Sequence, residues 1–256
     1  MNYIVYRIEA IVDKGVFKED SEDKIMINRN VISDGTYHFN IEDKDIIMAL
    51  ADGVGGENSG EIAAELTLKE ISKIEMNYYN IEDKIRTTIS NCFDVLIQEA
   101  AKNKECRGMA TTLTGMAIIN EEIITFNIGN SRVYRFRNGA IRQLTEDDSI
   151  VQEMINLGVI GKYETSDISN KNVITKYIGS NGQRFEPKIE KHNVKIVVSD
   201  IFVICSDGIH DYIDIDVIEQ ILSEKMSLEE KCINLVDKAK MIEGHDNISV
   251  ILVEVM

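Results

Sequence analysis

Residues 46–60 have the sequence IIMALADGVGGENSG, and this stretch determines how the rest of the chain is expected to fold. The six apolar residues 46–51 predict a buried strand that stops at the pair Asp52 and Gly53. A glycine-rich turn follows, and we expect a helix to begin near Ser59. The pattern therefore places the carboxylate of Asp52 at the end of a buried strand.

Three other aspartates have comparable positions in the sequence. Asp207 follows an apolar run, whereas Asp23 and Asp246 each stand just before one. If these strands share one core, the four carboxylates can converge. Clusters of carboxylate oxygens bind hard divalent cations such as Mg²⁺ or Mn²⁺. The sequence therefore predicts a two-metal site that hydrolyses a phosphate ester.

The composition is that of a folded chain with one continuous domain. The chain has 256 residues, of which 44% are hydrophobic and 28% charged, so it can bury a sizeable core. It has a single Pro and no linker rich in Gly, Ser or Pro. The four Cys have no CxxC spacing, which argues against structural zinc and against a disulfide framework. We expect residues 1–256 to form one domain.

The charge pattern restricts the partners and the location of the protein. A net charge of −16 opposes binding to nucleic acid, because phosphate backbones are held by patches of Lys and Arg. The chain has no signal-peptide pattern and no apolar run near ~20 residues. We therefore expect a cytoplasmic protein that binds neither nucleic acid nor a membrane.

The order of the predicted elements favours an α+β fold. Two helices are expected at 61–71 and 82–103, a block of short strands at 109–144, and two more helices at 214–223 and 228–242. A further helix is expected at 148–160, and strands are expected at 3–12, 24–28, 46–51, 194–198, 201–205 and 248–255. Such segregation is typical of a four-layer αββα sandwich, in which helices flank two antiparallel sheets, and it disfavours a regular βαβ alternation.

One irregular segment interrupts this order. Residues 161–192 are polar and lack a clear period, and no other irregular stretch of the chain is as long. Loops of this length without secondary structure of their own are often functional. We expect a flap there.

Seven short motifs are spread along the chain. They are GVFKEDSED at 15–23, ADGVGG at 51–56, GMATT at 108–112, GNSRVY at 129–134, LTEDDS at 144–149, CSDGI at 205–209 and DNISV at 246–250. In this order they resemble the motifs of the metal-dependent serine/threonine protein phosphatases, the PPM or type 2C family. The resemblance covers nearly the whole chain, and seven ordered matches are far more specific than any one of them.

The resemblance implies a metal centre that uses the same acids. Asp52 would bridge two ions, Mn²⁺ or Mg²⁺, and the carbonyl of Gly53 would bind one of them. Asp207 and Asp246 would complete the other. Two divalent ions ~3.5–4 Å apart lower the pKa of a water molecule between them, so the nucleophile would be that water and not a side chain.

The resemblance also implies supporting roles and exposes departures from the family pattern. Glu22 and Asp23 would orient waters bound to the ions. Lys18 stands where the family usually has an Arg that holds the substrate phosphate, so we expect weaker substrate binding. Asn130 replaces an Asp that supports a third metal in bacterial relatives, so that site is expected to be degenerate. Asp148 replaces a His, with no effect that the sequence predicts.

The leading functional hypothesis is hydrolysis of phosphoserine and phosphothreonine in proteins. A serine/threonine kinase or the substrate of such a kinase would be the partner, as the family resemblance implies. Two alternatives remain at this point. A pseudophosphatase would keep the fold and bind metal with little turnover, as Lys18 and Asn130 could suggest. A metal-dependent nuclease is disfavoured by the acidic charge.

Overall fold

Strands and helices cover most of residues 4–54, 59–76, 79–161, 173–242 and 246–256, the residues that the structure, a computed structural model, describes. The strands are β1 (Ile4–Asp13), β2 (Lys24–Ile27), β3 (Asn30–Ile32), β4 (Gly35–Asp43), β5 (Ile46–Ala51), β6 (Gly53–Val54), β7 (Ala110–Thr111), β8 (Leu113–Ile119), β9 (Glu122–Ile128), β10 (Arg132–Arg137), β11 (Ala140–Gln143), β12 (Ile178–Gly179), β13 (Lys188–Lys195), β14 (Ile201–Cys205) and β15 (Ile248–Val255). The helices are α1 (Gly60–Ile71), α2 (Ile81–Lys102), α3 (Ile150–Asn156), α4 (Asp207–His210), α5 (Ile215–Ser223) and α6 (Leu228–Met241).

The strands form two large antiparallel sheets and one small sheet. The first sheet has the order β11-β10-β14-β15-β1-β4, and the second has the order β13-β9-β8-β5-β2-β3. A three-stranded sheet, β12-β7-β6, continues from the end of β5. The second sheet contains β5, the apolar run that directly precedes Asp52.

Strand β5 is buried on both faces, and its alternating side chains face two different layers. Ile47 and Ala49 pack with helices α1 and α2, whereas Met48 and Leu50 pack between the two large sheets. A strand buried on both sides has no polar face, which explains its unbroken apolar sequence. The second sheet is therefore an inner layer.

Strand β15 has the same arrangement in the first sheet. Ile251 and Val253 face the space between the sheets, whereas Val250 and Leu252 pack against α5 and α6. The layers are thus helices, sheet, sheet and helices. The α+β sandwich predicted from the order of the elements is confirmed.

Helix α6 shows how local sequence sets an element that covers the first sheet. Ser227 Oγ accepts a hydrogen bond from the backbone of Glu230 at 3.2 Å, and the Glu230 carboxylate accepts one from the backbone of Ser227 at 2.8 Å. This capping box satisfies two backbone donors that a helix start leaves free.

None of the helices in the described ranges combines the length and apolarity that a bilayer crossing demands.

The structure differs from the sequence-based expectation at several exposed elements. Strand β4 was not expected, and the helix expected at 148–160 is limited to Ile150–Asn156. The expected flap at 161–192 requires a correction, because residues 188–192 belong to β13, which pairs with β9. Most residues of β13 are exposed and its sequence lacks the apolar alternation that reveals strands. Strand β4 does alternate, with Tyr37, Phe39 and Ile41 between polar residues, so its signal was present and was missed. Residues 162–172 of the expected flap lie outside the described residues.

Candidate active site

The register of the second sheet brings Asp23 and Asp52 together. Lys24, the first residue of β2, pairs with Ala51, the last residue of β5. The aspartates that flank this pair therefore lie side by side at one end of the sheet. The prediction that both acids stand at strand ends agrees with this register.

The first sheet delivers the other two acids to the same end of the sandwich. Cys205, the last residue of β14, pairs with Val250 near the start of β15. Asp207 begins helix α4 just after β14, and Asp246 precedes β15 by two residues. The site is thus assembled from both sheets, with two acids from each.

A cleft of about 190 Å³ contains almost all of the residues predicted for the site. Asp23 does not line it and is buried behind it, with 1% of its surface exposed. Three further residues that line the cleft are Val54, Thr112 and Ile174. The predicted residues that line it are Lys18, Glu22, Asp52, Gly53, Asn130, Asp207 and Asp246.

A larger cleft, about 630 Å³, lies at the opposite end of the second sheet. Its lining includes Asn28, just after β2, and Asp45 and Ile47, around the start of β5. None of the predicted site residues lines it. The chemistry-bearing residues therefore mark the smaller cleft as the candidate site.

The electrostatics of the acidic cleft disfavour several ionised carboxylates at once. Burial and then the charges of Asp23, Asp207 and Asp246 raise the pKa of Asp52 well above its usual range. Burial raises the pKa of Asp23 to about 7, although the nearby Ser249 hydroxyl favours its charged form. Burial and then Asp246 raise the pKa of Asp207. Nearby positive charge would relieve this repulsion.

The donor set fits hard divalent cations by its chemistry. Carboxylate oxygens and a backbone carbonyl are the ligands that Mg²⁺ and Mn²⁺ prefer. Asp207 Oδ1 is buried and has no hydrogen-bond partner among the described residues, so it retains ligating capacity. Among the described residues, no three or more His, Cys, Asp or Glu side chains come together as a group that could hold a metal ion. Because Mg²⁺ usually keeps several water ligands, one or two carboxylates are enough to bind it.

Two threonines hold the backbone of Asp52 in place. Thr112 Oγ1 accepts a hydrogen bond from Asp52 N at 3.1 Å, and Thr112 N donates to Asp52 O at 2.8 Å. Thr111 Oγ1 donates to the same carbonyl at 2.9 Å. Both threonines are buried, so these bonds have no water to compete with them. These hydrogen bonds fix the backbone of Asp52 at the end of β5, and so they position its carboxylate in the cleft.

Asn130 contacts a predicted metal ligand directly. Its side-chain amide donates to Asp207 Oδ2 at 2.9 Å. His210 Nε2 lies 3.0 Å from the carbonyl of Asn130, so this ring nitrogen donates, and the buried imidazole supports the loop. An Asp at position 130 would repel Asp207, whereas the amide orients it.

Asn247 ties the loop that carries Lys18 to the start of β15. Its Oδ1 accepts a hydrogen bond from Glu22 N at 2.8 Å, and its Nδ2 donates to the carbonyls of Lys14 and Asp20, each at 3.1 Å. In this arrangement Lys18 Nζ lies 3.5 Å from Asp246 Oδ1 at the cleft. No role was predicted for Asn247, although it lies in the motif DNISV at 246–250.

Asp148 joins two segments that shape the cleft. Its Oδ1 lies 2.9 Å from the ammonium groups of both Lys176 and Lys188. Its Oδ2 accepts a hydrogen bond from Gly129 N at 3.2 Å. Because Asp148 is only 2% exposed, this arrangement ties the loop of Asn130 firmly to the segment after residue 173. Asp148, for which the sequence predicted no effect, therefore forms a buried ionic link.

The glycines after Asp52 and Asp207 permit close approach of backbones. A Cβ at Gly208 would lie 1.9 Å from the carbonyl oxygen of Asn247, and one at Gly53 would lie 2.5 Å from the carbonyl carbon of Gly60. Both distances are far shorter than a van der Waals contact. The two Asp-Gly pairs thus join the chain segments that form the cleft.

Comparison with known proteins places this site in a family. The family model described as protein phosphatase 2C matches residues 27–241. The serine/threonine phosphatase Stp of Listeria monocytogenes is 31% identical over 222 residues, which are 84% of this chain and 87% of that protein.

Solved structures share the fold over nearly the full length. The serine/threonine phosphatase of S. agalactiae superposes with a TM-score of 0.84 at 27% identity, covering 98% of this chain and 100% of that chain. The catalytic domain of PstP, solved in complex with two manganese ions, has a TM-score of 0.79 and 24% identity over 99% of each chain, which shows similarity of fold. Together with the family match, these findings show that the chain is a protein serine/threonine phosphatase of the protein phosphatase 2C family.

Proposed function

We propose that the acidic cleft hydrolyses phosphoserine and phosphothreonine in proteins with the help of two divalent cations, Mn²⁺ or Mg²⁺. Asp52 and the carbonyl of Gly53 would hold one ion, and Asp52, Asp207 and Asp246 would hold the other. When bound, such ions activate a water molecule between them and stabilise negative charge on the attacking and leaving oxygens.

The observation that carries this proposal is the convergence of acids from two sheets in one cleft. Asp52 enters from the second sheet, and Asp207 and Asp246 enter from the first. Burial and then their mutual repulsion raise the pKa of Asp52 and of Asp207, so ionised carboxylates are disfavoured there without added positive charge. A cluster of this kind is expected where cations bind.

Residues of the chain have separate tasks around this centre. Lys18, at the mouth of the cleft beside Asp246, would bind the phosphate of the substrate. Glu22 and Asp23 would orient water molecules at the edge of the centre. Asn130 would keep the carboxylate of Asp207 in one orientation through its hydrogen bond.

The proposal also covers the extent of the domain, its substrates and its cofactor. Both large sheets contribute acids to the cleft, which supports treatment of residues 1–256 as a single phosphatase domain. The family resemblance supports phosphorylated proteins as substrates, with a serine/threonine kinase or its targets as partners. The manganese complex of PstP, which has the same fold, supports Mn²⁺ as a cofactor.

Turnover with metal titration tests the proposed function. We expect hydrolysis of para-nitrophenyl phosphate and of a phosphothreonine peptide that rises with Mn²⁺ and is lost after removal of the metal by a chelator. Asp207→Asn should lower kcat at least ~10²-fold, because a preorganised charged group at the centre is lost. Asp216→Asn, the same change at an exposed position of α5, is the matched control and should keep full activity.

The outcomes of this test separate the enzyme from the binding module. Calorimetric titration with Mn²⁺, run on the same samples, reports binding independently of turnover. Binding of metal without hydrolysis would support the pseudophosphatase alternative. A rate of hydrolysis that is unchanged by the chelator and by Asp207→Asn would contradict the proposed metal centre.

Lys18→Arg tests the residue assigned to the substrate phosphate. A guanidinium can hold phosphate through two parallel hydrogen bonds, whereas an ammonium acts as a point charge. We expect KM for a phosphothreonine peptide to fall by up to about tenfold, equal to ~1.4 kcal/mol, with a smaller change in kcat. Lys69→Arg on the exposed face of α1 is the control. An unchanged KM would remove Lys18 from the proposed phosphate site.

A further inference from the structure

A second groove, about 240 Å³ in volume, lies directly beside the acidic cleft. Val54 and Ile174 line both, so the two spaces share a wall. Its other lining residues include the apolar Met109 and Ala110, the aromatic Tyr177 and the polar Ser180 and Asn181, and no charged side chain of the described residues lines it. Its chemistry therefore differs sharply from that of its acidic neighbour.

The small three-stranded sheet sets the distance between the two spaces. Gly53 lines the acidic cleft, and the next residue, Val54, pairs with Ala110, which in turn pairs with Gly179. Residues Val54, Ala110 and Gly179 all line the groove. One step along a strand is ~3.3 Å, which is also the spacing of residues in an extended peptide. A peptide whose phosphorylated residue sits in the cleft would therefore place its neighbouring residues at the groove.

The main aromatic wall of the groove is held in position. Asn181 Nδ2 donates to the hydroxyl of Tyr177 at 2.8 Å, and the ring of Phe185 packs edge-on at a centroid distance of 5.8 Å. A Cβ at Gly179 would lie 2.9 Å from the Tyr177 ring, so only glycine allows this packing. A wall fixed on three sides is preorganised for binding.

We propose that this groove is a subsite for an aliphatic or aromatic side chain one or two residues from the phosphorylated residue of the substrate protein. The inference rests on the proposed function, because it needs the phosphorylated residue in the acidic cleft. Continuity of the two spaces and the apolar lining favour this occupant. The groove is smaller than a typical ligand pocket of about 300–1,000 Å³, which suits a single side chain.

A set of matched phosphothreonine peptides tests the subsite. Each peptide carries Leu, Phe, Ala or Asp at one position within two residues of the phosphothreonine and is otherwise identical. For at least one position, we expect the wild-type protein to favour Leu or Phe over Ala by about tenfold in kcat/KM, with no gain for Asp. para-Nitrophenyl phosphate has no neighbouring side chain, so its turnover reports on the acidic cleft alone.

Variants of the groove residues test whether a preference for Leu or Phe peptides arises in the groove. Tyr177→Ala should lower the ratio between the Leu and Ala peptides several-fold. Asn181→Ala keeps the ring but removes the hydrogen bond to the Tyr177 hydroxyl and the one from Gln183 N, so it should lower the ratio less. Tyr37→Ala, at a partly exposed tyrosine of β4 in the first sheet, should leave the ratio unchanged. Circular dichroism establishes that each variant is folded.

Each remaining outcome overturns a defined part of the inference. Equal kcat/KM for all peptides, with normal turnover of para-nitrophenyl phosphate, would refute the subsite and leave the groove to another occupant. A preference that survives unchanged in both folded groove variants would place its origin elsewhere. Failure of wild-type protein to hydrolyse either substrate with Mn²⁺ would refute the proposed function, and the subsite with it.

Discussion

Replacement of Asp52 by Asn is expected to abolish measurable turnover and to stabilise the metal-free protein. The activity should fall at least ~10²-fold, because the proposed centre loses the carboxylate shared by both ions. Stability should rise because burial and three neighbouring acids disfavour the charged form of Asp52, as its raised pKa shows. Function and stability therefore oppose each other at this residue.

The pH dependence of this stabilisation has a definite sign. A carboxyl whose pKa is raised by folding binds more protons in the native state than in the unfolded state, so the free energy of unfolding falls as pH rises above ~4. Asn at position 52 removes that contribution. The stability gain should thus be small near pH 4 and larger near pH 8.

Urea unfolding at several pH values in the presence of a chelator measures the gain. Asp237→Asn on the exposed face of α6 is the matched control and should shift neither activity nor the pH profile. A variant that is less stable than the wild type at pH 8 would show that the acids of the cleft do not repel one another as inferred.

Gly208→Ala is the second substitution with a large expected effect. The added Cβ would lie 1.9 Å from the backbone oxygen of Asn247, and a backbone atom cannot rotate away as a side chain can. The cost should be about 3 kcal/mol or more in the free energy of unfolding. Relief of the clash would also separate Asp207 from the loop of Asp246, and a displacement near 1 Å can cost ~10²-fold in rate.

Gly139→Ala separates this steric effect from backbone strain. Gly139 has a φ of +79°, but nothing lies within 4 Å of an added Cβ. It turns the hairpin between β10 and β11, at the end of β10 away from the cleft. The control should lose about 1–2 kcal/mol through the left-handed conformation alone, with activity retained. Equal activity losses in the two glycine variants would contradict the role of close packing at Gly208.

The layers of the fold could be predicted because the inner strands are buried on both faces. Strands β5 and β14 have unbroken apolar sequences, and the polar turns around them mark where they end. The edge strand β13 escapes detection because solvent covers much of its surface and places little apolar constraint on its sequence. The other edge strand, β4, keeps an apolar alternation at Tyr37, Phe39 and Ile41, which the prediction did not use. The strands that could be predicted are thus those in which burial determines the type of residue.

The candidate site also has one part that could be predicted from the sequence and one part that could not. The acids could be proposed from their places beside apolar strands, and the family resemblance supplied their roles. The hydrogen bonds of Asn247 reach residues more than 200 positions away in the sequence, and those of Asn130 reach Asp207 across 77 positions. Contacts of this range leave no local pattern, so sequence periodicity cannot reveal them.

Because the acids of the proposed centre are divided between two sheets, the packing between the sheets would set the geometry of that centre. Asp52 follows a strand of one sheet and Asp207 follows a strand of the other, and the side chains of Met48 and Ile251 help fill the space between the two sheets. A bulkier or smaller residue in that gap changes the spacing of the two halves of the centre without touching any acid. Selection on catalysis is therefore also selection on hydrophobic volume deep within the molecule.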